Sequence, residues 1–511
     1  MRYRLAITGF LLLLVCISCD KKWEQYYNDV PETVDMNVWD AIQQDENLST
    51  FVQFVKQYKY DTLFLKDNIY SLFIPDNDAF AAFLTSDTLS RSLLNYEFSL
   101  HFVQSRNISG KRKVQTLAEK FALFNNTGSE LYFDDVLIDF ESPLYTNGKY
   151  FIIGQVAEPK PNLYEYIALN NPVLKSYIDS QDSIVLDKEL SIPIGFDEHG
   201  NTIYDSVTIT YNLFELEYFP VSEEFRNNTA TIVFPKEEDY NAALDEMASV
   251  MNGVYTDHSD IPMEWQHEIL IPYLLERSVF ENMLEPEAFI KPARLDTLKL
   301  KNILGDSVAI DYTPIEKTIC SNGYAYNYYN FHVPDTLLNG TYRLEGESLL
   351  RENGVNAYTW REGVEVLADV AFVPYREYID IASNDSILRV LFTKNYSGAY
   401  SVEFKVPNLF PRKYLMVVRT NMYVGGLYEV YLNDELAATM NWYNYFLDPY
   451  FVSVTGTKIY KPTKAFNRWD CWLNNTAEYG TARIRFEYKG PANVSTNGLS
   501  IDYIDFIPYD N

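Results

Sequence analysis

Seven side chains in the last third of the chain are the best candidates for ligand chemistry. They are six aromatic rings and one amide, and the six rings lie in predicted loops among further asparagines. Sugar rings offer apolar C–H faces for stacking and hydroxyls for amide contacts, so this combination suits glycans. The alternative is that Trp469 and Trp472 only close the end of a folded domain. The predicted glycan-binding residues are Trp442, Tyr443, Tyr445, Trp469, Trp472, Tyr479 and Asn497.

Residues that could support catalysis or metal binding do not form a recognisable motif. None of the 5 histidines is spaced from another as metal ligands are, and no Cys-x-x-Cys occurs after residue 19. The sequence also has no Gly-rich phosphate loop and no Gly-x-Ser-x-Gly nucleophile motif. A hydrolase would require an acidic pair in a deep cleft, and the many carboxylates leave that alternative open. We predict that the protein is not an enzyme.

Composition and charge limit the class of partner. The chain of 511 residues has a formal net charge of -29 and a pI near 4.6. Phosphate binding depends on clustered Lys and Arg, so this balance excludes nucleic acid as a partner. The length suits about three domains, each able to bury its own core. The aromatic content of 16%, with 42 Tyr, favours β-rich folds and extracellular recognition.

The first 19 residues form a predicted targeting segment, which is removed by cleavage before Cys19. Arg2 and Arg4 give a basic start, and the apolar stretch from Leu5 to Ile17 is too short to span a bilayer. The segment resembles a bacterial lipoprotein signal, in which cleavage exposes a cysteine that is then acylated. The resemblance implies lipidation of Cys19, although Cys16 stands where the pattern usually has Leu. Ordinary secretion is the alternative.

Two features follow if that cleavage occurs. Residues 20–35 are polar and predict a short tether that lifts the first domain off its anchor. The remaining thiols, Cys320 and Cys471, fall in different predicted domains. We interpret them as two buried, inert thiols, with a disulfide between them as the alternative.

A series of landmarks occurs twice in the same order. The interval from Asn-Gly to the following Pro is 12 positions in both copies. By contrast, the interval from the first asparagine of each copy to its first Pro grows from 38 to 73 residues. Fixed spacing indicates conserved backbone geometry, and the extra residues belong in a loop. The sequence therefore predicts a duplicated domain. The equivalent landmarks are Asn37 and Asn162, Pro75 and Pro235, Asn147-Gly148 and Asn322-Gly323, and Pro159 and Pro334.

These landmarks resemble the signature of the fasciclin domain. That signature is a Thr/Ser-x-Phe-x-Pro strand leading into an Ala-Phe helix, and a later Asn-Gly turn before a strand that ends in Pro. The strand motif is Ser71–Pro75 in the first copy and Thr231–Pro235 in the second, and Ala79-Phe80 follows the first. The resemblance implies two fasciclin-like α+β domains, at 36–161 and 162–337, used for adhesion and interaction and not for catalysis.

Two departures from the family pattern bear on function. Animal members often carry a Tyr-His pair associated with adhesion, but the two copies have Leu100-His101 and Tyr273-Leu274. Animal-type receptor binding is therefore not expected. The second copy also has an insertion at about 181–219, which predicts a hairpin turning through Asp197–Asn201. This hairpin is either decoration or a docking element for a partner.

From about Leu338 onward, the hydrophobic pattern changes to alternation. Inward residues of period two, such as Val402 and Phe404, predict an antiparallel sandwich over 338–511. The opening and closing strands resemble those of galactose-binding-like jelly rolls found among carbohydrate-binding modules. In such a fold the two chain ends meet, so Glu345, Glu347 and Asp502 are candidate ligands of a structural Ca²⁺, with ordinary solvated carboxylates as the alternative.

The combination resembles the accessory lipoproteins of bacterial polysaccharide-uptake systems. It implies a fold of two fasciclin-like domains followed by an all-β antiparallel jelly-roll sandwich. It also implies a surface-exposed, lipid-anchored protein of the cell outer membrane. Such a protein would bind polysaccharide and an outer-membrane transport or surface lipoprotein partner. The alternative is a structural or adhesive surface protein that binds only other proteins.

Overall fold

The computed structural model describes residues 33–66, 68–187, 189–224, 226–421, 423–442, 450–456, 458–460, 466–492 and 496–509. These residues form two compact units. The first comprises the described residues up to Phe234 together with Leu275–Tyr328, and the second comprises Pro235–Leu274 and the described residues from Tyr329 onward. The predicted second domain, 162–337, is therefore divided between the two units. No helix within the described ranges is long and apolar enough to cross a membrane.

The first unit is α+β, with short helices and many strands. Its helices are α1 Val38–Gln44, α2 Ser49–Gln57, α3 Asn77–Phe83, α4 Arg91–Tyr96, α5 Leu163–Asn170, α6 Pro172–Ser180 and α7 Leu213–Glu217. Its strands up to the insertion are β1 Thr33–Val34, β2 Tyr70–Pro75, β3 Phe98–Ser99, β4 Gly110–Gln115, β5 Phe121–Asn126, β6 Leu131–Phe133, β7 Val136–Glu141, β8 Leu144–Tyr145 and β9 Gly148–Ile153. The later strands are β10 Asp182–Leu186, β11 Ile192–Phe196, β12 Thr202–Asp205, β13 Thr208–Asn212, β14 Ala230–Pro235, β15 Val279–Glu281, β16 Leu298–Lys301, β17 Ser307–Ile310, β18 Ile315–Cys320 and β19 Gly323–Tyr328.

Strand β2 lies at the centre of the first copy and is buried along its whole length. Successive side chains of a strand point to opposite faces, so β2 contributes to two hydrophobic clusters. Leu72 and Ile74 join the cluster that includes the helices. Phe73 joins the other, where its ring stacks on Phe133 and Phe151 with centroid distances of 3.9 and 5.0 Å. The predicted strand that ends in Pro75 is confirmed.

The two copies share a strand order. In the first copy β2 pairs with β3 on one side and with β9 on the other, and β9 continues to β7. In the second copy the order is β15-β14-β19-β18, in which β14 takes the place of β2 and β19 that of β9. Strands from the same two landmarks thus lie side by side in both copies, as a duplicated domain requires.

The Asn-Gly landmark makes the same contacts in both copies. The side-chain oxygen of Asn147 accepts a hydrogen bond from the backbone N–H of Val38 at 2.8 Å, and that of Asn322 accepts one from Leu163 at 2.8 Å. A Cβ at Gly148 would lie 2.0 Å from the carbonyl oxygen of Tyr70, and Gly148 has a φ of 139°. The asparagine of the landmark therefore binds the start of a helix. The residue after it must be glycine, because the neighbouring strand lies too close for a side chain.

The insertion forms a two-stranded ribbon. Strand β10 pairs antiparallel with β13, and β11 pairs antiparallel with β12. The predicted hairpin is confirmed at 182–212. One difference from prediction lies at the start of the unit, where Thr33–Val34, within the predicted tether, pairs in parallel with β8.

The second unit contains a β-sandwich preceded by helices. The helices are α8 Glu237–Ser249, α9 Met263–Trp265, a π-helical segment Gln266–Leu270, α10 Ile271–Leu275 and α11 Asp335–Leu338. The first strands are β20 Tyr342–Glu345, β21 Leu350–Glu352, β22 Tyr358–Trp360, β23 Val364–Ala368, β24 Tyr375–Tyr378, β25 Ser386–Leu391, β26 Tyr400–Lys405, β27 Lys413–Asn421, β28 Val424–Gly425 and β29 Leu427–Leu432. The remaining strands are β30 Glu435–Asn441, β31 Tyr450–Val452, β32 Lys458–Tyr460, β33 Phe466–Asn474, β34 Arg483–Gly490, β35 Thr496–Ile501 and β36 Tyr503–Pro508.

One five-stranded sheet and two four-stranded sheets enclose the sandwich core. Their orders are β20-β36-β27-β33, β23-β26-β34-β29-β30 and β24-β25-β35-β28. The alternating residues predicted to face inward, including Val402, Phe404, Val430 and Phe486, are 0% exposed. Pairing is antiparallel throughout these sheets except for the short β28–β35 contact, which is parallel. The predicted α+β fold with a C-terminal sandwich is confirmed.

Candidate binding sites

The two tryptophans of β33 lie on opposite faces of their sheet. They are three positions apart, and a strand places residues of odd spacing on opposite sides. Trp469 packs against the sandwich core, whereas Trp472 points outward and is 37% exposed. The prediction that both lie in loops is wrong, because β33 runs without a break from Phe466 to Asn474. Of the two, only Trp472 offers an open ring face to a sugar.

The other predicted aromatic residues are dispersed. Trp442 is 1% exposed, and its ring packs on Tyr428 at a centroid distance of 4.6 Å, so it belongs to the core and cannot stack on a ligand. Tyr443 and Tyr445 lie outside the described residues. Tyr479 is half-buried and packs on Phe410 at 4.5 Å.

The hydrogen bonds of Tyr479 and Asn497 are directed to the protein itself. The backbone N–H of Tyr479 donates to the hydroxyl of Tyr255 at 2.9 Å, and burial raises the pKa of the Tyr479 phenol to about 12. Asn497 lies on β35, in a different sheet from Trp472. Its backbone carbonyl accepts a hydrogen bond from the N–H of Phe392. The predicted glycan-binding residues therefore do not converge on one site.

A residue that the prediction omitted completes the exposed aromatic surface. Tyr509 is 45% exposed, and its ring lies 4.6 Å from that of Trp472, tilted by 52°. The two side chains reach towards each other across β27, since Trp472 is opposite Leu415 and the N–H of Tyr509 bonds to the carbonyl of Lys413. We call Trp472 and Tyr509 the aromatic pair. The alternation that continues from the closing strand could have identified Tyr509.

The three candidate calcium ligands are not assembled as one ligand set. Asp502 accepts hydrogen bonds from the N–H of Ser383 at 2.9 Å and from the guanidinium of Arg419. Glu345 accepts one from the hydroxyl of Ser383 at 2.7 Å. Arg419 thus supplies the positive charge at Asp502, and burial raises the pKa of Asp502 to about 6.

The remaining oxygens of this group are buried. One carboxylate oxygen of Glu345 and one of Glu347 have no hydrogen-bond partner among the described residues, and burial raises the pKa of Glu347. Across the described ranges, no group of three or more His, Cys, Asp or Glu is arranged to hold a metal ion. The set of Glu345, Glu347 and Asp502 therefore does not fit Ca²⁺ as a three-carboxylate site, because Arg419 already occupies Asp502.

The ribbon of the first unit exposes several large apolar side chains. Three side chains of β11 are 64%, 66% and 73% exposed: Ile192, Ile194 and Phe196. A bulge between Pro193 and Gly195 breaks the alternation of the strand, so apolar side chains emerge on both faces of the ribbon. Exposed apolar side chains grouped on one element are often a binding surface.

The two thiols are free and buried, as predicted. Cys320 is 2% exposed and Cys471 is 3% exposed. Burial raises the pKa of each thiol to about 12, so both stay protonated and unreactive.

Comparison with known proteins places the fasciclin resemblance in the first copy. Residues 46–159 match the family model of the Fasciclin domain. No curated protein matches the chain. The fold of a FAS1 domain pair from the insect cell adhesion molecule Fasciclin I is similar at 12% identity and a TM-score of 0.22, covering 57% of this chain and 97% of that one.

Two solved carbohydrate-binding modules also resemble part of the chain. CBM35 from Paenibacillus barcinonensis has 11% identity and a TM-score of 0.20, covering 33% of this chain and 99% of that chain. A family 35 carbohydrate binding module from Clostridium thermocellum has 10% identity and a TM-score of 0.20, covering 33% and 98%. Similarities this low indicate nothing about ligand or partner.

Proposed function

We propose that this protein is a non-enzymatic binding protein of the bacterial outer membrane, anchored through an acylated Cys19 and exposed at the cell surface. Its fasciclin-like and sandwich regions present binding surfaces to a protein partner and to glycan. The partner is an outer-membrane transport or surface lipoprotein of a polysaccharide-uptake system. The observation that carries the proposal is the uncovered apolar ribbon.

The ribbon has the chemistry of a docking element. Its apolar side chains emerge on both faces, so it suits insertion into a groove better than contact with a flat surface. Residues 181–212 contain six Asp or Glu and one Lys, at position 188. The expected partner surface is therefore an apolar groove with a basic rim, because complementary charge steers association and excludes wrong partners.

Crosslinking on intact cells tests this role. Residues 181–212 of the sequence contain one lysine, Lys188, with which an amine-reactive crosslinker can react. Mass spectrometry then identifies what is joined to it. Replacing Ile192, Ile194 and Phe196 with Thr keeps the β propensity of the strand and removes the apolar surface. We expect the crosslinked partner to decrease at least about tenfold, since buried apolar anchors carry most interface energy.

A matched control uses exposed apolar residues outside the ribbon. Val355, Leu367 and Val373 are 94%, 74% and 76% exposed. Changing these three to Thr should leave the Lys188 crosslink unchanged. A partner that the ribbon variant retains in full, or that both triple variants lose equally, contradicts docking through the ribbon.

Glycan binding by the sandwich is the second candidate function, and the aromatic pair favours it. Trp472 and Tyr509 are exposed beside each other on the outer face of the sheet β20-β36-β27-β33. By contrast, the outer face of the sheet β23-β26-β34-β29-β30 carries ion pairs such as Arg483–Glu403 and Lys489–Glu429. The aromatic pair therefore provides the more suitable surface for a sugar ring.

Calorimetric titration of the chain from residue 20 onward against a glycan panel tests this candidate. Trp472→Ala should weaken binding of any glycan that binds there by roughly tenfold, as expected for loss of one stacked ring. Tyr378→Ala is the control, because Tyr378 is 65% exposed on a different sheet. Binding that is indifferent to Trp472→Ala would place the glycan elsewhere, and silence across the panel would remove this candidate.

A further inference from the structure

The first unit has a basic cleft that none of the functions above uses. It consists of two adjoining depressions of about 420 and about 110 Å³. Lys111, Arg112, Lys113 and Arg226 line it, and no Asp or Glu does. The whole chain has 71 Asp and Glu against 42 Lys and Arg. The cleft therefore reverses the sign of charge that prevails in the protein.

Three of the four cations come from one edge strand. Strand β4, Gly110–Gln115, lies at the end of its sheet and contributes Lys111, Arg112 and Lys113. Arg226 comes from the segment that precedes β14 and lines both depressions. Two separate parts of the chain therefore supply the cations that line the cleft.

The two arginines are available to an external anion. Arg112 and Arg226 are exposed. Neither guanidinium makes an ion pair or a side-chain hydrogen bond with any residue in the described part of the chain. A guanidinium is planar and donates two parallel hydrogen bonds to a carboxylate, which is the strongest form of ion pair at a partly exposed site.

Two acidic residues beside the cleft do not neutralise it. Glu224 acts on Lys113, but it also lies 3.8 Å from the Nζ of Lys120. Glu285 accepts hydrogen bonds from Lys111 and, at 2.6 Å, from Lys317. Burial alone would raise the pKa of Glu285, but these two lysines lower it to about 2. One carboxylate is thus shared by two lysines, so a net positive charge remains beside Arg112.

The cleft also offers an aromatic ring and a desolvated ammonium. Phe102 lines the smaller depression and is 38% exposed. Lys113 is 8% exposed, its Nζ lies 5.4 Å from the ring centroid of Phe121, and burial lowers the pKa of its ammonium to about 8. An exposed ring next to guanidinium groups suits a ligand that has both an apolar face and a carboxylate.

We propose that this cleft binds an acidic glycan, in which uronate carboxylates pair with Arg112 and Arg226 and a sugar ring stacks on Phe102. This site goes beyond the proposed function, because it lies in the first unit and involves neither the ribbon nor the aromatic pair. Its success or failure is therefore independent of those two sites. A neutral glycan lacks the charge that the cleft selects.

Titration of the chain from residue 20 onward with defined oligomers tests the proposal. The probes are a hexamer of galacturonic acid, a neutral hexamer of galactose and a single-stranded DNA hexamer. We expect the galacturonate hexamer to bind at low salt and to weaken as NaCl is raised. Arg112→Gln combined with Arg226→Gln should raise its Kd at least tenfold, because two charge-assisted hydrogen-bonding groups are lost.

The matched control removes two arginines from outside the cleft. Arg294 and Arg351 are exposed and line neither depression. Arg294→Gln with Arg351→Gln gives the same net charge as the cleft variant and should leave the Kd unchanged. Thermal unfolding of both variants checks that the fold is retained. The proposal is overturned if galacturonate does not bind, if galactose or DNA binds as tightly, or if the two double variants behave alike.

Discussion

Asp134 is a buried carboxylate whose environment makes a specific prediction about pH. One of its oxygens accepts a hydrogen bond from the N–H of Leu123 at 2.8 Å, and the other accepts one from the hydroxyl of Tyr96 at 2.7 Å. It is 5% exposed, and burial raises its pKa to about 6. The folded state therefore holds a proton on Asp134 more tightly than the unfolded chain does.

The sign of this effect fixes the expected pH dependence. A raised folded pKa contributes stability that is fully present below the unfolded value near pH 4 and is lost as pH rises through about 6. Asp134→Asn keeps both hydrogen bonds possible and removes the titration. Between pH 4 and pH 7.5, the free energy of unfolding of the variant should rise by up to about 3 kcal/mol relative to that of the parent chain.

Urea unfolding at the two pH values measures this difference. The exposed Asp139 of β7 gives a control of equal charge change in Asp139→Asn. A parent–variant difference for Asp134→Asn that does not change with pH contradicts the assignment of this buried proton.

At the scale of residues, the sequence could not sort the aromatic residues of the sandwich into buried and exposed ones. Trp442 and Trp472 have similar polar neighbours in sequence, yet one is 1% exposed and the other 37%. The difference depends on which strand each residue occupies and on the parity of its position. The sequence could not show which face of the sheet each residue of β33 occupies, because Trp469 and Trp472 were both predicted to lie in a loop. The cleft was overlooked for another reason, since Lys111-Arg112-Lys113 is a local basic run within an acidic whole.

At the scale of elements, the repeated landmarks are the positions where helix, turn and strand meet. A Cβ added at Gly323 would lie 2.2 Å from the backbone carbonyl oxygen of Ala230, the first residue of β14. At Gly148 the equivalent approach is to Tyr70, the first residue of β2. The fixed spacing in the sequence therefore reflects a packing requirement that both copies share.

We expect Gly323→Ala to destabilise the first unit by on the order of 3 kcal/mol, because β14 and β19 must separate to admit the methyl group. Gly195 provides the control, since a Cβ there has nothing within 4 Å. The urea midpoint should move for Gly323→Ala and stay nearly constant for Gly195→Ala. Equal, small effects in both variants would show that the close approach is relaxed in solution.

Element types followed from the sequence wherever one rule governed them. Alternation identified the strands of the sandwich core, and the type of residue at Asp76 fits its place as the cap of α3, where it accepts a hydrogen bond from the N–H of Ala79 at 2.7 Å. The start of the first sheet was not predictable in this way. Thr33–Val34 is polar in context and too short for periodicity, and its strand exists only because β8 is available to pair with it.

At the scale of the whole molecule, the division into units differs from the division into copies. Pro235–Leu274 belongs to the second copy by its landmarks but groups with the C-terminal unit. Its side chains contact the sandwich region within that unit, for example Trp265 against Phe410 at 5.3 Å. The landmark spacing shows which residues belong to one copy of the repeat, whereas the two units are defined by contacts in the folded chain. The repeat alone could therefore not give the boundary between the units.

We propose above all that a lipid anchor at Cys19 holds these binding surfaces outside the cell. Protease treatment of intact cells, followed by immunoblotting, tests it most directly. We predict that protease digests the parent chain on intact cells while an internal periplasmic marker survives, and that a Cys19→Ser variant is no longer found in the membrane fraction. Full protection of the parent chain on intact cells, with digestion only after lysis, would contradict surface exposure and both proposed contacts there.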